Sequence, residues 1–271
     1  MAGEAQSINF AVGTATIMLG APADLRNFTP ATHSIGLVKD VKIMAEASYI
    51  KLTQGVRNSV VHSIKTGEPV SMGAAIYEYN AKNWTYALGF AGYDVALTAA
   101  STTVTAKLPV LDADPIDSAG YSTVEVADTA GFNIGDYVML QVGTDDQVYP
   151  RRIKNKTTGS PSTLVFDEPI KKLRIPLGAT VRKCSIVPIG RKSEQPFLAA
   201  KIVGSMADNV EVCIEIPKLR VTKGFDLTFQ TSDYANMSFE FDVYDLVPAD
   251  PQYARSRDEF DGAPAFLYTI N

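Results

Sequence analysis

The chain is poor in the side chains that carry chemistry. It has two histidines, His33 and His62, and two cysteines, Cys184 and Cys213, in 271 residues. A strand pattern separates the histidines and no serine or cysteine elbow accompanies them, so surface or hairpin positions are expected for both. Two cysteines do not complete a four-ligand zinc site. Free thiols are the default reading, with a single Cys184–Cys213 disulfide as the alternative. Gly-x-Gly-x-x-Gly, Walker, His-Glu-x-x-His and Gly-x-Ser-x-Gly patterns are all missing. No enzymatic activity, metal or cofactor is expected.

Three further absences narrow the class. Met1–Ser7 has no basic n-region and no apolar run is long enough to cross a bilayer, so cytosolic synthesis and no membrane partner are expected. Bases are not clustered, so there is no footprint for gripping a phosphate backbone, and the net charge is −5 with a pI near 5.1. No internal repeat of the TPR, WD or leucine-rich kind occurs, and no low-complexity tract.

What is present is β patterning. Aliphatic, aromatic and Cys residues make up 46% of the chain and charged residues 20%, enough apolar material for a sizeable core. Met72, Ala74 and Ile76 alternate with Gly73, Ala75 and Tyr77. Met237, Phe239, Phe241 and Val243 alternate with Ser238, Glu240 and Asp242. Further strands are expected at Thr16–Leu19, along Ile35–Leu52, at Val56–Lys65, Val70–Tyr79, Val210–Ile216 and Phe225–Gln230, with a possible edge strand at Ala265–Ile270. Gly55 and Thr66-Gly67 turn the chain into a meander whose hairpin arms are longer than a compact core requires. Asn80 is placed to cap a short helix bearing Trp84, Ala87 and Leu88 on one stripe, with Gly89 as its stop.

The pattern changes between Ala99 and Pro115. Short strands then follow closely from Ser122 to Ile186, and Ala130–Val138 has the glycine-bent form of a small barrel turn, with Phe132 and Ile134 as plugs. The expected organisation is a first domain in two parts, 1–107 and 187–271, with an inserted barrel-like β domain over 108–186. That insert holds nine bases and ten acids.

Acid-rich spots read as structural. Asp112, Asp114 and Asp117 imitate the start of a calcium loop, but the required Gly and bidentate Glu are missing, so a solvated linker is expected. Glu240 and Asp242 lie ~7 Å apart by strand geometry alone. Asp145-Asp146 and Arg151-Arg152 read as the solvated face of a hairpin. From Phe225 onward, nine acids face only Arg255 and Arg257. Negative charge of this kind repels phosphate.

The corner Met72–Gly89, with its Glu78-x-Asn80, Asn83-Trp84 and Ala87-Leu88-Gly89 letters, resembles that of tail tube proteins of long-tailed bacteriophages. Ile216–Thr222 and Ser232–Met237, followed by the last strand, are similar to the close of the same domain. The resemblance covers Ile35–Gly89 and Val210–Val247. It implies a mainly β fold, a sandwich or barrel with one corner helix, that forms hexameric rings stacked into a conduit for DNA ejection. Inner strands would join edge to edge around the lumen and the long arms would bridge successive rings. It implies a structural virion protein of the tail, assembled in the host cytoplasm. Its partners would be further copies of itself, other tail proteins (sheath, terminator or tip) and passing DNA held without specific binding. The inserted domain would point outward, since six copies inside would block the channel. Glu46 and Asp242, each on the polar face of a strand, are the candidate lumen-lining residues. The rival reading is a tail-tip or adhesin-like protein whose inserted module binds host carbohydrate or a partner, through aromatics among Tyr121, Phe132, Tyr137, Tyr149 and Phe166.

Overall fold

A computed structural model describes residues 13–54, 59–88, 100–108, 121–143, 147–170, 175–190, 194–206, 211–227 and 235–269. The chain is mainly β. In order it forms β1 (Gly13–Gly20), a 3-10 turn (Pro22–Asn27), α1 (Pro30–His33), β2 (Val38–Ala45), β3 (Ser48–Gln54), β4 (Ser59–Gly67), β5 (Val70–Ile76) and α2 (Ala81–Ala87). Then follow β6 (Ser101–Leu108), β7 (Tyr121–Val126), β8 (Tyr137–Gln141), β9 (Val148–Thr157), β10 (Ser162–Ile170) and β11 (Thr180–Cys184). The chain closes with β12 (Leu198–Met206), β13 (Glu211–Lys223), β14 (Met237–Val243), α3 (Tyr253–Glu259) and β15 (Phe266–Thr269). Two compact units result: Met1–Tyr93 together with Pro188–Asn271, and Asp94–Val187.

The first unit is built on one seven-stranded sheet in the order β1-β12-β13-β14-β5-β2, with β15 added to β13. It is rolled rather than stacked as two sheets: the Ile35 amide donates to the Ile17 carbonyl at 3.0 Å, and Ser34, leading into β2, bridges Met18 of β1. The period of two explains the roll's filling. Met72, Ala74 and Ile76 of β5 and Met237, Phe239 and Phe241 of β14 meet Ile17, Leu19, Ala200 and Leu219 in one core. Burying each large apolar side chain there contributes about 1.5–3 kcal/mol. A smaller cluster lies under the 3-10 turn, where Leu25 and Phe28 cover Met18 and Ala199. Gly20 is required at that contact, because a Cβ would come within 2.8 Å of the Phe28 ring.

The second unit is a closed barrel in the order β10-β7-β6-β11-β8-β9. Val124, Val138, Leu140, Leu164, Phe166 and Val181 fill it. The bend Ala130–Val138 takes positive φ at Gly131 (79°) and Gly135 (95°). Phe132 is buried as its plug, whereas Ile134 is 62% exposed and plugs nothing.

Several expectations change. Ile35–Leu52 is two strands, β2 and β3, broken at Glu46-Ala47 because β2 follows the sheet and β3 leaves it. The barrel begins at Ser101, earlier than the expected boundary at 108, since Thr102 and Val104 turn inward. Phe225–Leu227 form no strand, and 228–230 lie outside the described residues. β13 runs straight through Pro217, which its register shift against β12 accommodates. α3 occupies part of the polar tail. Gly55, Gly89, Asp112, Asp114, Asp117 and Asp145-Asp146 lie outside the described residues.

Candidate assembly surfaces

The corner between β5 and α2 is a clasp on the segment that feeds β2. Asn80 caps the helix, its Oδ1 accepting from the Asn83 amide at 2.8 Å. Asn83 is fully buried, and its Nδ2 donates to the carbonyls of Ile35 (2.9 Å) and Glu78 (2.8 Å). Glu78 Oε1 accepts from the Leu37 amide at 2.9 Å. Gly36, at φ 83°, leaves room for that carboxylate, which a Cβ would strike. Lys82 Nζ donates to Thr32 (2.5 Å) and Ser34 (3.0 Å) carbonyls, and burial pulls its pKa down. The helix buries Asn83, Thr85 and Ala87, while Trp84 packs half-buried against the core. The sequence signal here was the cap; the Glu78–Gly36 fit had none.

The outer face of β13-β14-β5-β2 forms an open trough of about 640 Å³. Cross-strand register orders its charges. Arg220 stands opposite Asp242 and then Ser71 and Met44; Lys223 stands opposite Glu240, then Gly73 and Lys42. Lys223 pairs with Glu240 at 3.3 Å. Asp242 is exposed on this face, next to buried Phe241, and Asp40, Glu240 and Lys42 line the trough with it. Glu46 is exposed in the connection between β2 and β3, off the strand face on which it was expected. Glu46 and Asp242 thus lie on different elements, the β2–β3 connection and β14.

This four-stranded segment has open edges on both sides. β2 pairs only with β5. The ladder between β12 and β13 ends at Leu219, so on that side Arg220–Lys223 pair with no described strand.

The β3–β4 hairpin leaves the sheet as an arm, and every residue of both strands is exposed. Tyr49, Ile50, Leu52, Val60, Val61 and Ile64 are each more than half exposed. An exposed set this large marks a surface made for contact. His62 lies on this arm, and His33 stacks on Phe28 with centroids 4.5 Å apart.

The C-terminal segment is tied to β13 by buried charges that sequence patterning missed. Glu215 Oε2 accepts from Arg255 Nη1 at 2.9 Å, Tyr268 OH lies 3.3 Å away, and Lys201 approaches Oε1 at 3.7 Å. Burial, with Glu215 beside it, pushes the Tyr268 hydroxyl pKa up. Lys218 pairs with Asp250 at 2.8 Å.

In the barrel, Phe132 and Phe166 belong to the core, and Tyr137 and Tyr149 are half-buried, Tyr137 beneath the Arg152 guanidinium. None of these four is exposed, and the Tyr121 side chain lies outside the described residues. Arg151 is not simply solvated: its guanidinium donates to the carbonyls of Glu168 (3.1 Å) and Pro169 (3.3 Å). Cys184 and Cys213 are free thiols, and burial raises the pKa of both. No group of three or more metal-ligating side chains occurs among the described residues.

No family model matches the chain. No curated protein matches it either.

Proposed function

We propose that this is a structural subunit whose copies form hexameric rings that stack into a phage tail tube, the conduit for DNA ejection. The observation that carries the reading is the pair of open edges on β13-β14-β5-β2. The two edges differ, so copies pair head to tail, β2 against Arg220–Lys223 of the next, a contact that forms a ring when the rotation between copies closes. Pairing them removes strand edges that otherwise invite aggregation. The trough face, carrying Asp242, would then line the lumen, and the exposed arm would reach the next ring. Glu46, at the root of the arm, suits the contact between rings better than the lumen. The reading rests also on the corner and closing motifs.

Negative-stain microscopy of purified protein at high concentration tests it. Rings or tubes with a central hole are expected. Protein that stays monomeric there, and also when mixed with native tails, overturns the reading.

A further inference from the structure

Both open edges of β13-β14-β5-β2 carry a bulge. On β2 the register against β5 slips between Lys39 and Lys42, where Asp40 and Val41 face Ala74 alone. Burial identifies the extra residue. Val38, Val41 and Ile43 turn toward the core and Lys39 and Lys42 away from it, so taking out Asp40 restores strict alternation. Asp40 sits at φ 54°, the left-handed position that a bulge of this kind gives to glycine. On β13 the slip falls between Val221 and Lys223, with Thr222 as the extra residue and its hydroxyl donating to the Glu240 carbonyl at 3.1 Å.

The two edges differ in charge. Arg220 and Lys223 are each held by a carboxylate, Glu194 at 2.7 Å and Glu240 at 3.3 Å. Lys39, Asp40 and Lys42 are exposed and form no ion pair among the described residues. An open strand is a template for a second copy of itself, and bulges and lysines placed on it work against that pairing. Two β2 edges laid antiparallel bring four uncompensated lysines onto one face, against two Asp40 carboxylates, and like charges opposite one another destabilise a strand pair. β2 against Arg220–Lys223 of the next copy brings only two, because the bases on that edge are already neutralised.

We propose that β2 is a guarded edge: the Asp40 bulge, with Lys39 and Lys42 beside it, bars two β2 strands from joining and reserves the edge for Arg220–Lys223 of a neighbouring copy. This rests on the head-to-tail pairing proposed above and adds its specificity. The bulge acts through shape. It bends β2 and adds local twist, so no straight run of free amides and carbonyls is offered to a second β2. The lysines act through charge. The two kinds of contact also have different outcomes. Each copy has one β2, so a β2–β2 contact is isologous and stops at a dimer, occupying the edge that a ring needs. Head-to-tail pairing continues from copy to copy.

Sedimentation velocity of the full chain over a concentration series tests this, with amide hydrogen exchange across Val38–Ala45 reporting on the edge. A variant with Asp40 deleted, Lys39→Thr and Lys42→Thr is expected to dimerise about tenfold more tightly than wild type, with exchange slowed along β2. Wild type and Asp40→Gly, which keeps the bulge, are expected to give monomers and rings and no dimer that stops at two. Lys39→Thr/Lys42→Thr with the bulge intact is expected to fall between, and it carries the test if circular dichroism shows the deletion variant unfolded. Variants no more dimeric than wild type overturn the guard. Asp40→Gly dimerising as the deletion variant does overturns the part given to the bulge. Wild type that itself stops at dimers protected along β2 overturns the guard and the head-to-tail reading together. Wild type monomeric throughout, beside dimeric variants, overturns the ring reading and leaves the bar on β2–β2 joining in place.

Discussion

Asn83 shows how much one polar side chain holds. It is fully buried, and its amide supplies two backbone carbonyls from different parts of the chain, Ile35 and Glu78. Removing it leaves both acceptors without that donor, and each buried, unsatisfied group costs about 1–3 kcal/mol. Asn83→Ala is therefore expected to destabilise the first unit by about 2 kcal/mol or more, read as a lower urea midpoint with an unchanged slope. Asp250 gives the pH dependence. Burial alone pushes its carboxyl upward, but the Lys218 ammonium and the Val247 amide, at 2.8 and 2.7 Å, outweigh that and hold it below the usual carboxylate range. A carboxyl depressed on folding stabilises the protein above its unfolded value, ~3.9, and that contribution is lost as pH falls through the lower folded value. Asp250→Asn is expected to lower Tm at pH 7 and to flatten its fall below about pH 4, measured by calorimetry.

At the scale of an element, the arm is the outlier. A two-stranded hairpin standing alone is marginal in water, and this one has no apolar residue turned into its own core. Its cost is offset only if something covers it. Replacing Ser48–Gly67 by a short Gly/Ser turn is expected to leave unfolding of the first unit within about 0.5 kcal/mol of wild type. The same change is expected to abolish stacking in micrographs. Stability falling with the arm would mean it belongs to the fold and not to assembly. The β15 strand behaves oppositely: four residues long, it is held by Phe266 in the interior and by the Arg255–Glu215 pair.

At the scale of the whole molecule, the chain leaves its first unit after α2 and returns to it at β12. The barrel closes on its own core, so excising Asp94–Val187 in favour of a Gly/Ser linker is expected to leave a first unit that still unfolds cooperatively. Loss of soluble protein would show that the two cores are one folding unit. The trough bears on transport. Asp40, Glu240 and Asp242 line the trough against Lys42, with Lys223 paired to Glu240 and Arg220 to Glu194, so on the proposed reading a lumen built from it would carry a small negative charge and repel DNA only through weak, screened fields. Asp242→Lys is expected to spare folding and to make assembled tubes retain DNA, measured by ejection rate or by DNA bound after nuclease treatment.

The sequence alone determined what depends on near neighbours. Alternation marked β5 and β14 and their inward residues, Asn80 marked the start of α2, and the glycines marked the barrel bend. Periodicity reports which side chains share a face, and caps and turns act within a few residues, so both are legible without knowing the fold. Which strand lies beside which was decided only by tertiary structure. Glu215 and Lys218 are charged residues, yet both are buried, because Arg255, Tyr268 and Asp250 arrive from dozens of residues away to partner them. Ser101–Leu108 gave no sign of belonging to the barrel, since only Thr102 and Val104 turn inward, and only once β7 and β11 flank the strand. The arm's isolation was hidden for the converse reason. Its residues carry ordinary strand patterning, and burial is a property of what packs against a face, which no local pattern of that face contains.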